Sequence, residues 1–364
     1  MMTAVMPEAA DRISKAWCGS SSCFPVAKEA RTRGMAGFAR RSVTSVTLVK
    51  LRAGLLTSRY EPEHAQSAMT ATGEDFLLDW PTLAFQIVNG VVWAMFLGLI
   101  ALGLNAIFGL LGLLNMAHGA VYAVGAVIAW YTVNRLGSFW LAVFAAPLAA
   151  GIASIPVYRF VLRPTIGQDM MVGLVATSGL LFVINDTLLA LYGGSPGLVP
   201  PPIGGAVGIL GIYYPTYRLV AAIMAIAILA AFWLFLRSTA IGLWIRCVAQ
   251  SPTLAKASGV PVERVYLIIV VLSAAFAALA GVLVAPMTTI SYQMGLSVLG
   301  PAFIVVVVGG LGSLGGAVAA AVIMGVARGV FSVFLPPTYA EVCAIALFLP
   351  FLYFRPNGIF RGRA

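Results

Sequence analysis

The run from Gln86 to Ala120, QIVNGVVWAMFLGLIALGLNAIFGLLGLLNMAHGA, contains no Asp, Glu, Lys or Arg. It sits inside a longer interval without charge that extends from Asp79 to Arg135. A helix rises ~1.5 Å per residue and crosses ~30 Å of hydrocarbon in ~20 residues, so this interval has room for more than one crossing. Two further intervals, from Asp186 to Arg218 and from Arg264 to Arg328, are equally free of charge.

Composition agrees with that reading. Of the 364 residues, 61% are apolar and 9% are charged, against ~25% charged in an average soluble domain. A water-soluble fold is excluded. The formal charge of +10 does not point to nucleic acid, because the basic residues lie between apolar blocks and not on one aromatic-rich face. Such positions are those of cytoplasmic loops under the positive-inside rule. Cys18, Cys23, Cys247, Cys343, His64 and His118 share no zinc-site spacing and imply no disulfide framework.

Residues 1–68 differ from the rest. Residues 1–60 hold ten basic and three acidic residues with many Ser and Thr. A transit peptide has that composition, and so does a disordered or untranslated extension. The second reading places the working start near Met69, ahead of the acidic head MTATGEDFLLDW, with residues 69–364 as the membrane domain.

Apolar blocks recur at roughly 83–108, 115–133, 139–158, 170–192, 217–236, 265–285, 297–309, 316–335 and 339–354. The fold class is therefore all-α: a polytopic transmembrane helix bundle with about eight to nine membrane segments. The 297–309 block is short and is the candidate for a re-entrant or broken segment, which lipid admits only where protein surrounds it. Basic connections after the third and fifth blocks, and the tail Arg355, Arg361 and Arg363, belong on the cytoplasmic side. With an acidic head outside, the number of crossings is odd, and nine fits. The segment Gly193–Pro215 is rich in Gly and Pro, cannot be a regular helix, and reads as a plain connecting loop on the outer side.

Polar side chains inside apolar blocks cost free energy unless they face protein or water. Asn89, Asn105, Asn115, His118, Asn185 and Asp186 are thus the candidates for a translocation pathway. Asn115 and His118, three apart, are expected on one helical face near the start of the second block. Bonding to neighbouring helices explains Asn115 as well as a pathway role does, and is favoured for His118. Asp186 has no basic partner in its block, as a proton-coupled carrier would want. Small residues at every fourth position, Ala317, Ala321, Gly325 and Gly329, and again Ala277 and Gly281, predict close helix contacts.

The stretch RSTAIGLWIRCVAQSPTLAKASGVPVERVY, from Arg237 to Tyr266, is predicted to be a cytoplasmic lever over 237–264. It has a short helical segment, and Gly259 followed by Pro261 reads as a helix stop.

That loop resembles the coupling loop of binding-protein-dependent ABC permeases, with Ala255 and Gly259 at the signature spacing. The opening quotation, GLWIRCVAQSPTLAKASGV, VVGGLGSLGGAVAAAVIMG and FRPNGIF are similar, in that order, to the motifs of branched-chain amino acid permeases. Asn115, His118 and Gly119 point to the first of the two permease types of that system. The resemblance covers about residues 84–360. Ala120, Lys256 and Asp186 depart from the family's usual residues. The resemblance implies a permease, not an enzyme, that binds no cofactor and no nucleotide, in a bacterial inner membrane. Its implied partners are two ATP-binding subunits, a second permease subunit, a periplasmic substrate-binding protein and membrane lipid. It also implies a coupling role for Gly242, Arg246, Ala255 and Gly259. The chain agrees in lacking a GxxxxGK[ST] phosphate loop. A urea or short-amide importer of similar design, or an ion-coupled carrier, are the alternatives. A membrane-embedded enzyme would need a catalytic cluster that these blocks do not offer.

Overall fold

The computed structural model describes residues 80–354, apart from 196, 210 and 211, together with Gly358. The basic extension, the proposed start at Met69, the acidic head, and the arginines of the tail lie outside the described residues.

Helix α1 spans Trp80–Leu111. Its 32 residues give a length of about 48 Å at 1.5 Å per residue. Pro81 falls in the first turn, where no intrahelical N–H is lost. The helix stops at Gly112, whose φ of 68° closes the last turn by an N–H donated to the Phe108 carbonyl at 2.9 Å. Most of α1 is buried, as a helix apolar on all sides must be. It is the centre of the bundle.

The remaining helices surround it: α2 (Ala117–Leu136), α3 (Phe139–Val157), α4 (Met170–Tyr192), α5 (Thr216–Ser238), α6 (Ala240–Gln250), α7 (Pro252–Ala257), α8 (Val262–Val284), α9 (Met294–Gly309), α10 (Leu314–Phe334) and α11 (Pro337–Phe354). A π turn over Tyr158–Leu162 and a short helix, Arg163–Thr165, prolong α3. The π turn follows Pro156, which has no N–H to give the preceding turn.

The predicted small-residue stripes lie at helix contacts. Helix α10 runs antiparallel to α1, with Gly329 at Gln86, Gly325 at Gly90 and Ala321 at Gly98. A Cβ on Gly90 would fall on the Gly325 carbonyl oxygen. Gly281 of α8 meets the Tyr122 backbone in the same way, and Gly125 of α2 meets that of Ala278. Backbones this close gain dispersion contacts that side chains would prevent.

One expectation needs correction. The Gly193–Pro215 segment is not a plain loop: Ala206–Ile209 (β1) pairs antiparallel with Ile212–Pro215 (β2), from Ala206 opposite Pro215 to Ile209 opposite Ile212. Val207, Ile209, Ile212, Tyr213 and Tyr214 are β-branched or aromatic, and this preference outweighs the surrounding Gly and Pro. Among the described residues, six helices are each both long and apolar enough to cross a membrane. Met294–Gly309 and Pro337–Phe351 are apolar but shorter. Large apolar side chains stay exposed along α3 (Phe144, Leu148), α4 (Phe182, Val183) and α5 (Ile223, Trp233). Faces of this kind contact lipid or another protein.

Candidate functional site

The bundle has two distinguishable ends. At one, Tyr214 of the hairpin packs on Phe85 at 5.3 Å between ring centroids, and α5 begins. At the other, α5 ends and the segment α6–α7 returns the chain to α8.

At that second end each helix is explicitly started and stopped. Thr239 caps α6, its Oγ1 accepting the Gly242 N–H at 3.0 Å. Gly242 lies against the Leu236 backbone, where a Cβ would clash. Gly242, Ile245 and Val248 are buried, while Leu243 and Arg246 on the other face are exposed. Ser251 caps α7, accepting the Leu254 N–H at 3.3 Å, with Pro252 in the first turn. Ala255 is buried. The end of α7 is a Schellman motif: the Val260 N–H donates to the Ala255 carbonyl at 3.0 Å and the Gly259 N–H to that of Lys256 at 3.1 Å. Gly259 supplies the left-handed residue with φ of 85°. Ala255 and Gly259 thus belong to one hydrogen-bonded turn. Next to it, Glu263 accepts from the Tyr158 hydroxyl at 3.1 Å and pairs with Arg163 at 3.1 Å, joining the start of α8 to the end of α3.

The six pathway candidates fall into different settings. Asn89 accepts from Arg218 Nη1 at 3.0 Å and from the Tyr214 hydroxyl at 3.3 Å. Burial raises the Tyr214 hydroxyl above the ordinary tyrosine value, with Arg218 acting the other way. It remains a donor at neutral pH. Asn105, fully buried, donates to the Ser313 carbonyl at 2.8 Å and accepts the Gly312 N–H at 2.8 Å. It fastens α1 to the turn between α9 and α10.

Asn115 and His118 do not share a helical face, because α2 begins only at Ala117. Asn115 belongs to the non-helical link after α1. That link is held by α4: Thr177 Oγ1 donates to the Leu114 carbonyl at 3.0 Å and accepts the Met116 N–H at 3.2 Å. The Asn115 Oδ1 is buried without a partner. His118 is buried against Gly103, its Nε2 3.1 Å from the Ile100 carbonyl, so that nitrogen carries the proton. Asn185 is buried with its Oδ1 unpaired. Asp186, next to it, is exposed and makes no ion pair among the described residues.

A cavity of about 280 Å³ opens at the hairpin end between α1, α5, α8 and α10. Asn89 lines it with Arg218 and Arg328, neither of which was singled out from sequence. The available signal was their position, since each closes a long uncharged interval and so places a guanidinium in an apolar helix. Thr177 and Ser273, whose Oγ donates to the Gly103 carbonyl at 2.7 Å, had no such signal.

Residues 86–352 match the family described as “Branched-chain amino acid transport system / permease component”. The chain is 28% identical over 290 residues to the high-affinity branched-chain amino acid transport system permease protein LivH of Salmonella typhimurium, covering 75% of this chain and 94% of that protein. It is 27% identical over 289 residues to the corresponding protein BraD of Pseudomonas aeruginosa, with the same coverage. To the probable permease LivH of Methanocaldococcus jannaschii it is 24% identical over 296 residues, covering 75% of this chain and 91% of the relative. With its helical bundle and with most of its length matched, this chain belongs to the family of permease components of branched-chain amino acid transport systems.

Proposed function

We propose that this chain is a permease subunit of an ATP-driven importer of branched-chain amino acids, working by alternating access in a bacterial inner membrane. The observation that carries the reading is the α6–α7 segment. It is a compact element, capped at both helix starts by Thr239 and Ser251 and closed by the Schellman turn at Gly259. It hangs between two bundle helices and shows an exposed face with Leu243 and Arg246. An ATPase subunit pressing on that face moves α5 and α8 together, which supports a lever function. Gly242, Ala255 and Gly259 shape the lever, and Arg246 faces the ATPase.

In this reading α1 to α5, α8, α10 and α11 cross the membrane, and α9 is the short ninth segment. The hairpin end then faces outward, where a substrate-binding protein docks, and the α6–α7 end meets two ATP-binding subunits. The exposed apolar face of α3, α4 and α5, with Asp186 on it, meets lipid and a second permease subunit. Asn89, Asn115 and Asn185 are the polar groups along the route. Asn105 and His118 hold helices together, since their partners are backbone groups within the bundle.

The test is transport by the complete complex in proteoliposomes, with radiolabelled leucine, isoleucine and valine beside urea and acetamide. The reading expects ATP-dependent uptake of the amino acids. Uptake of urea or acetamide alone would transfer the chain to an amide importer, and uptake driven by an ion gradient without ATP would refute the lever.

A further inference from the structure

The cavity at the hairpin end presents two guanidiniums to one space. Arg218 on α5 is held by Asn89 at 3.0 Å and has no carboxylate partner among the described residues. Arg328 on α10 lies 4.1 Å from the Trp93 ring centroid, and its Nη2 is 3.5 Å from Glu341. Its Nη1 is buried and donates to nothing. Two cations facing one carboxylate leave the space positive. A guanidinium with donors to spare and a single distant carboxylate favours a group that brings an acceptor.

The shape narrows the choice. A volume of about 280 Å³ is several times the ~30 Å³ of a water and close to the ~300 Å³ at which small-molecule sites begin. Trp93, Phe96, Val284 and Met287 form an apolar wall beside the two arginines. A guanidinium suits a carboxylate or phosphate oxyanion, and the wall suits a hydrocarbon chain attached to it.

We propose that this cavity binds a monoanionic oxyacid group carried on an apolar chain, with the Arg328 guanidinium donating to an anionic oxygen and Arg218 as the second cation. Two sources offer that chemistry at a membrane surface. One is an aliphatic amino acid through its α-carboxylate, an option that rests on the import function proposed above. The other is an anionic phospholipid through its phosphate, which does not.

The experiment uses the complete complex in nanodiscs of phosphatidylcholine. Equilibrium dialysis with radiolabelled leucine tests the first source, and native mass spectrometry after addition of phosphatidylglycerol tests the second. Wild type is expected to retain one of the two probes, and Arg218→Gln and Arg328→Gln are each expected to weaken it by about tenfold or more, roughly 1.4 kcal/mol. Retained leucine lost in the variants assigns the amino acid; retained phosphatidylglycerol lost in the variants assigns the lipid. Arg328→Lys, which keeps the charge but not the planar fork, is expected between wild type and Arg328→Gln. Gel filtration reports assembly, and if Arg328→Gln does not assemble, Arg218→Gln carries the comparison. Retention of neither probe by wild type, or equal retention by wild type and the glutamine variants, overturns the proposal. ATP-driven leucine uptake by the same wild-type preparation keeps the two readings apart. Uptake with unchanged probe retention in the variants rejects only the cavity, while phosphatidylglycerol retention without any uptake rejects only the import reading.

Discussion

The side-chain amide of Asn105 donates to the backbone carbonyl of Ser313 at 2.8 Å, across 208 residues of sequence. Ser313 is also the cap of α10, its Oγ accepting the Gly316 N–H at 3.2 Å. One residue of α1 therefore fixes where α10 begins. Replacing Asn105 by Leu removes the side-chain partner of both the Gly312 N–H and the Ser313 carbonyl in this part-buried turn, at roughly 0.5–1.5 kcal/mol for each hydrogen bond lost. Asn105→Leu is expected to lower the apparent Tm of the detergent-purified complex and to reduce its membrane abundance. An unchanged Tm would show that the turn holds itself.

Gly259→Val places a β-branched side chain at φ of 85°, which costs on the order of 1–2 kcal/mol or more. No atom lies within 4 Å of the position such a Cβ would take, so the strain is local to the turn. The variant is expected to insert and to associate with its permease partner, yet to lose ATPase binding or ATP-driven uptake. Uptake and ATP hydrolysis measured together decide it: if both rates and their ratio equal wild type, this turn transmits no work.

The backbone contact between α1 and α10 predicts a sharp contrast among glycines. Gly90→Leu and Gly325→Val are expected to reduce folded protein in the membrane severely, because no neighbouring side chain can move aside. Gly300→Ala in α9, whose added Cβ meets nothing within 4 Å, is expected to accumulate like wild type. Quantitative immunoblots of membrane fractions compare the three.

Asn115 and His118 are expected to fail differently. The Asn115 Oδ1 has no partner to lose, so Asn115→Leu should leave abundance near wild type while lowering uptake. His118 fills buried space against Gly103, and His118→Ala should cost about 2 kcal/mol through the cavity it leaves. His118→Gln, which retains a donor toward Ile100, should be milder. Equal uptake in Asn115→Leu and wild type would take Asn115 off the route.

The extent to which these features could be read from sequence follows their range along the chain. The helices were legible because burial of their length is written in uncharged intervals, and the left-handed Gly259 was legible because a Gly followed two residues later by Pro has few other uses. Helix proximity was legible as far as the stripe on α10, since small residues at every fourth position have one geometric meaning. The hairpin was not, because two four-residue strands lie in a segment whose Gly and Pro content suggests a loop. The true start of α2 was hidden as well: Thr177, 61 residues after Met116, holds the link that keeps Asn115 out of the helix. Arg218 and Arg328 are 110 positions apart, and only the fold lets them share a cavity.

The meeting of Gly90 with Gly325, and of Gln86 with Gly329, leaves no side chain at those two crossings of α1 and α10 that could repack. Two helices joined backbone to backbone, and bolted at one end through Asn105, behave as one beam. Any rocking that opens the protein first to one side of the bilayer and then to the other must therefore hinge along a different line, with this beam moving or resting as one piece.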